Sequence, residues 1–224
     1  ARGTHDELRG SQYLLVRALA DQQLHYVRVA NAAALRGLED GGIVRVRDGK
    51  GRVEVLSARS VQSQVDAPAW TWLDRQMHRL SQGKPAAVAF DATLEAAAAA
   101  RQRWMIEHGH AAAQDGQYRL KPGVADTLRR REEQAAARQY RGRNGVTPSA
   151  LPAGGEVEGT YRGTLHLHGG PQAVVEGRQQ TYLVPITRVP TAARGTAVVA
   201  QRPLVGRGTV VPASARPSHS TERE

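Results

Sequence analysis

Thr71-Trp72-Leu73-Asp74-Arg75-Gln76-Met77-His78-Arg79-Leu80 is where the apolar period of this 224-residue chain changes from two to the period of a helix. Leu73, Met77 and Leu80 recur at i, i+4 and i+7, which places them on one helix face. Thr71 with Asp74 three residues on has the spacing of a capping box, in which each side chain serves the other's backbone amide. A helix is therefore predicted over 72–80, closed by Gly83-Lys84-Pro85. A second is predicted over 87–108. Phe90, Leu94, Ala97, Ala98, Met105 and His108 fall on or near one of its faces, the Ala96–Ala100 run has high intrinsic helicity, and Gly109 stands at the C′ position.

Upstream the period is two. Tyr13–Val16, Leu24–Val29, Ile43–Val46 and Arg52–Leu56 read as short strands separated by turn residues, Asp48-Gly49-Lys50-Gly51 being the strongest turn. Residues 1–60 are predicted as a small antiparallel β module, in which Arg28, Arg45, Arg47 and Arg52 form either a basic stripe or a solvated face. Downstream, Ala111-Ala112-Ala113, the turn Gln114-Asp115-Gly116 and Gln117–Leu120, followed by Lys121-Pro122-Gly123, predict a small hairpin, and a third helix is predicted from Val124 to Tyr140 with Leu128 and Ala135 facing inward. Helix, hairpin and Arg-rich helix in that order loosely resemble a winged-helix module over 61–141. Residues 142–155, rich in Gly, Pro and Ser, read as a linker. Strands Glu156–Gly163, Thr164–Leu167, Ala173–Glu176, Thr181–Pro185, Thr196–Val199 and Gly208–Val211 predict a second small β-barrel over 156–211. Residues 212–224 have the composition of a disordered tail. The fold class is α+β: small antiparallel β modules flank a helical middle with a β-hairpin.

Lys and Arg total 31 against 21 Asp and Glu, a formal charge of +10, and nearly all of the basic residues are Arg. Guanidinium forks match phosphate geometry, so the surplus points to a polyanionic partner. By segment, residues 121–150 hold 7 basic and 3 acidic residues, the densest basic stretch, while 61–120 is balanced at 6 and 6. The absence of cysteine excludes disulfide scaffolds, thiol nucleophiles and iron–sulfur sites and suits a reducing cytoplasm. No apolar run approaches a membrane span, so no membrane insertion is expected. The charged opening at Ala1 reads as the interior of a longer protein.

The candidate DNA contacts are Arg129, Arg130, Arg131, Arg138, Arg141 and Arg143. Around the Leu128 face, Arg130 and Arg141 lie opposite and Arg131 and Arg138 share a flank. Phosphate contact is one reading; a solvated helix with Glu132 and Glu133 interleaved is the other. His166 and His168 share a strand face and have the spacing of a two-imidazole metal site, but no third ligand lies near them in sequence. Glu107, His108 and His110 lack the geometry of a zinc helix. Phosphate-loop and nucleophile-elbow patterns are missing as well. No catalytic residue, metal or cofactor is assigned. Trp70, Trp72 and Trp104 serve either as core or as base-stacking platforms.

Thr4-His5-Asp6-Glu7-Leu8 with Tyr13, His25-Tyr26-Val27, Val53-Glu54-Val55-Leu56-Ser57, Gln64-Val65 and Thr71-Trp72-Leu73-Asp74-Arg75 follow one another in order. After them come Arg103-Trp104 with Glu107-His108-Gly109, Thr127–Glu132, Gly159-Thr160-Tyr161-Arg162 and Tyr182-Leu183-Val184-Pro185. This ordered set, spanning about 1–211, resembles the C-terminal region of unknown function in plasmid-encoded conjugative relaxases (relaxase/mobilisation nucleases). The resemblance implies a parent whose tyrosine nucleophile and histidine-bound metal lie in a domain before Ala1. It implies for this chain a non-catalytic accessory role in plasmid mobilisation, with DNA and relaxosome or coupling proteins as partners in the cytoplasm. A protein-interaction module without direct DNA contact is the alternative.

Overall fold

The computed structural model describes residues 2–6, 11–19, 22–30, 35–47, 51–114 and 117–215, and the fold is α+β. The chain forms two compact units, residues 1–134 with 166–170, and residues 135–165 with 171–224.

The first unit begins with an antiparallel sheet of β1 (Arg2–Asp6), β2 (Ser11–Arg17) and β3 (Leu24–Val29). A separate hairpin follows, β4 (Ile43–Arg47) and β5 (Arg52–Ser57). The four strands expected as one module are thus divided between two sheets. Of the turn expected at 48–51, residues 48–50 lie outside the described residues. α2 (Trp72–Ser81) matches its expected position, and α3 (Ala92–Glu107) lies within the range expected for the second helix. The capping box at Thr71 and Asp74 is formed, and Gly109, at φ +71°, follows the His108 cap. α3 starts five residues later than expected because Asp91 caps it, accepting from Leu94 N. A short helix, α1 (Val61–Val65), was not expected; Ser60 caps it. The hairpin β6 (Ala111–Gln114) and β7 (Gln117–Leu120) leads into α4 (Val124–Asn144).

Two apolar clusters hold this unit. One gathers Ile43, Trp72, Leu73, Leu94, Ala97 and Ala98. The other gathers Trp70, Met105, Ala111, Val124 and Leu128. Arg101 is also fully buried, on the stripe of α3 that carries Leu94, Ala97 and Met105. Its Nε and Nη2 donate to the two Asp74 carboxylate oxygens, each at 2.9 Å. Its remaining N–H groups reach the carbonyls of Val65 (3.1 Å), Ala67 (2.8 Å) and Ala69 (2.7 Å). All five guanidinium donors are used, which is what a buried arginine requires.

The second unit is a barrel. β9 (Glu156–Leu167) is one strand, where two were expected. Gly163 sits within it at φ +129°, and Arg194 Nε stands 2.9 Å from where a Cβ would be. Glycine here bends the strand instead of ending it. β9 is hydrogen-bonded to both β10 (Gly170–Gly177) and β12 (Ala197–Gln201). β10 continues to β11 (Thr181–Pro185), and β12 to β13 (Thr209–Pro212). A parallel bridge between Ile186 and Gly208 joins the end of β11 to the residue before β13. Numbered from β9, the ring runs 1-2-3-5-4 with strand 1 bonded to strand 4, which is the strand order of the five-stranded oligonucleotide/oligosaccharide-binding barrel. Leu151, Tyr161, Val175, Val184, Ile186 and Val198 are among the residues that fill it.

Three expected boundaries are corrected. Residues 142–155 are not a linker: α4 extends to Asn144, β8 (Ser149–Ala150) pairs with β11, and Leu151 is buried in the barrel core. The chain divides inside α4 instead of at residues 60 and 141, since the β4–β5 hairpin and the helices share the cluster around Ile43 and Trp72. The tail expected from Pro212 begins later, because Pro212 ends β13 and Ala213–Ala215 form a 3₁₀ turn; residues 216–224 lie outside the described residues. On α4 the buried alanine is Ala136, and Ala135 is exposed, a drift of one position over two turns.

Candidate nucleic-acid interface

α4 carries all six of the candidate arginines, and each is exposed. Leu128 and Val124 anchor the start of the helix in the core, so Arg129, Arg130 and Arg131 project outward. Arg129 pairs with Asp126 one turn back at 2.8 Å, and Arg130 Nε donates to the Asp126 carbonyl. Arg138, Arg141 and Arg143 follow on the C-terminal half, which belongs to the barrel unit. Among the described residues no carboxylate pairs with Arg131, Arg138, Arg141 or Arg143. Of the two interleaved acids, Glu132 is engaged outside the helix. Glu132 turns away: its oxygens accept from His168 N at 2.6 Å and Gly169 N at 2.9 Å.

Beside the first turn of α4 lies an open groove of about 540 Å³ within the first unit. One wall is α2, whose Arg75 and Arg79 are one helical turn apart, with His78 between them. The other is the Lys121–Val124 corner with Ala125 and Arg129. Trp70 and Leu120 complete the lining, and no lining residue is acidic. Arg75 is fixed by donating to the carbonyls of Trp70 and Gly169, and Arg79 Nε donates to the Pro85 carbonyl. Nearby, the His110 imidazole is held below its ordinary pKa, first by burial and then by the positive charges of Arg131, His108, Arg101 and Lys121.

The basic stripe on β4 and β5 is largely satisfied within itself. Glu54 takes hydrogen bonds from Arg45 (3.3 Å) and Arg47 (2.7 Å), and the Arg47 contact is the first cause of its lowered pKa. Arg45 also donates to the Ala87 carbonyl at 2.7 Å.

The histidines and tyrosines take structural places. His168 Nδ1 lies 3.4 Å from Glu132 Oε1. His166 packs against Gly37; burial and the Arg59 charge depress its pKa, while Glu39 opposes them. Arg59 in turn donates to the His166 carbonyl and pairs with Glu39. A guanidinium beside His166 repels the cation that a two-histidine site would hold. Tyr161 Oη shares a 2.6 Å hydrogen bond with Thr164 Oγ1. Tyr118 Oη is buried without a hydrogen-bond partner; burial, then the Asp74 charge, pushes its pKa up to about 12. A phenol so far from ionising is a poor nucleophile.

Trp70 and Trp72 are each 3% exposed, which makes them core and leaves no face for a base. Trp104 is half-buried, stacks on His108 with ring centroids 4.1 Å apart, and has Arg101 Cζ 4.4 Å from its centroid. The groove was not legible in the sequence. Arg75 and Arg79 at i, i+4 were visible as a basic flank of α2, but their convergence with Lys121 and Arg129 is a tertiary event. No helix among the described residues is long and apolar enough to cross a membrane.

Residues 47–203 match the model of a family described as protein of unknown function (DUF3363). Comparison with curated proteins and with solved structures returned no match.

Proposed function

Since the chain belongs to the DUF3363 family, whose description assigns no activity, we propose that it is a non-catalytic accessory region of a conjugative relaxase, binding DNA or assisting relaxosome assembly in plasmid mobilisation. The relaxase context rests on the ordered residue set that runs from Thr4 to Pro185. The DNA contact rests on α4, where Arg131, Arg138, Arg141 and Arg143 stand exposed without carboxylate partners on a chain of charge +10. Such arginines neutralise phosphates without reading bases, giving weak sequence preference and steep salt dependence.

Fluorescence anisotropy with random-sequence oligonucleotides tests the proposal. Micromolar binding at low salt is expected. Replacing Arg138, Arg141 and Arg143 by Ala should weaken it and reduce the slope of log K against log salt by up to about 3. Absence of binding at about 50 mM salt, where phosphate-driven association is strong, overturns it. One observation favours docking to other transfer proteins as a second reading: Leu204 and Val205, between β12 and β13, are 80% and 89% exposed. Retained DNA affinity in a Leu204→Ser/Val205→Ser variant that loses relaxosome partners would separate the two roles.

A further inference from the structure

The groove between α2 and the start of α4 differs in kind from the α4 surface. A bare phosphate site is polar throughout, whereas this one has an apolar lining from Leu120, Val124, Ala125 and the edge of Trp70 beneath a rim of cations. The cations come from two elements: Arg75 and Arg79 on α2, Lys121 and Arg129 around the start of α4. At about 540 Å³ it falls within the size range of small-molecule sites, about 300–1,000 Å³. A flat, weakly polar group joined to an anion matches this arrangement, and that is the form of a nucleotide. A base inside a duplex is stacked and paired, and bringing it out costs a few kcal/mol. An unstacked strand presents the same base at little cost.

We propose that this groove takes one unstacked nucleotide of a single DNA strand, its base against the apolar lining and its phosphates on the cationic rim. The proposal rests on the DNA-binding reading and adds to it a location and a preference for single strands.

The test compares the chain's affinity for a thymidine oligonucleotide of about 20 residues, long enough for one site, with that for a duplex of the same length. Ala125→Phe fills the groove without altering charge. Tighter binding of the single strand is expected, and Ala125→Phe should weaken it about tenfold, within the worth of one stacked base, while duplex affinity stays within about twofold. Equal binding of both DNA forms, with Ala125→Phe lacking effect, overturns the groove and leaves DNA binding standing. Failure of both forms to bind overturns both readings. Displacement of the single strand by inorganic polyphosphate at equal charge concentration would show an ion-exchange surface and also overturn it. A bromodeoxyuridine oligonucleotide photocrosslinked to the wild-type chain removes any dependence on the variant's folding. Adducts in peptides holding Trp70, His78 or Leu120 support the groove, and adducts confined to residues 138–144 refute it.

Discussion

In the helical unit the largest fully buried side chain is Arg101, whereas the barrel is filled by Val, Ala, Ile, Leu and one Tyr. The reason lies in what each unit must satisfy. The barrel's strands bond to one another, so its backbone needs no side-chain donors and its core cluster is apolar apart from the Tyr161 hydroxyl. In the helical unit the segment between α1 and α2 is irregular, and the carbonyls of Val65, Ala67 and Ala69 find their donors in the guanidinium. With a single Phe in the chain, few aromatics were available to seal that segment otherwise. The difference teaches that arginine serves two ends here. On α3 it is a fully paired internal tie, and on α4 it is an exposed charge.

The largest expected effect tests that tie. Arg101→Met strands Asp74 in the core and should cost about 3–5 kcal/mol, as breaking buried pairs does, read from urea denaturation. Arg101→Met/Asp74→Leu distinguishes what the arginine does. If the ion pair dominates, the double variant recovers most of the loss, as apolar replacements of buried pairs often do. We expect it to remain destabilised, because the Val65 and Ala69 carbonyls lose their guanidinium donors in either case and Asp74→Leu also removes the capping box with Thr71.

The barrel should answer differently. Ile186→Ala removes a residue 1% exposed from an apolar core and should cost about 2–5 kcal/mol through lost burial and a cavity. Ile186→Val should recover most of that, as volume-graded cores do. A conservative replacement that works in the barrel has no counterpart at Arg101, where Arg101→Lys keeps the charge and loses the five-donor fork. Comparable losses for Arg101→Lys and Ile186→Val would break the contrast.

What could be read in the sequence follows the same division. The capping box, the faces of α2 and α3, and strands such as Thr181–Pro185 depend on residues within a few positions of each other, and they are where the period and the cap residues put them. Arg101 was legible only as an anomaly, a charge on the Leu94–Ala97–Met105 stripe; its partner Asp74 is 27 positions away. Gly163 marked a break by local rules and proved to be a bend, because β9 continues through it as one strand, hydrogen-bonded to both β10 and β12. The α4 arginines were visible as a basic run. That Glu132 leaves them to hold the His168–Gly169 turn depends on a segment 36 residues downstream.

The smallest effect sharpens the comparison through pH. His110 and His166 belong to the helical unit, and both have pKa values held below the ordinary range by burial first and by neighbouring positive charge second. Glu39 acts against this at His166 without reversing it. The described residues of the barrel include no histidine. On acidification from about pH 7 to 5, the unfolded chain takes up protons at these positions before the native state does. Stability is therefore present above the ordinary imidazole range and falls as pH drops through it. Hydrogen exchange, expressed as protection factors so that intrinsic rates cancel, should show loss of protection in peptides from 92–110 with little change in peptides from 171–200. His166→Gln should remove part of the loss. Equal loss of protection in both sets would mean that the two units open as one, and that the pH response does not belong to the histidine-bearing unit.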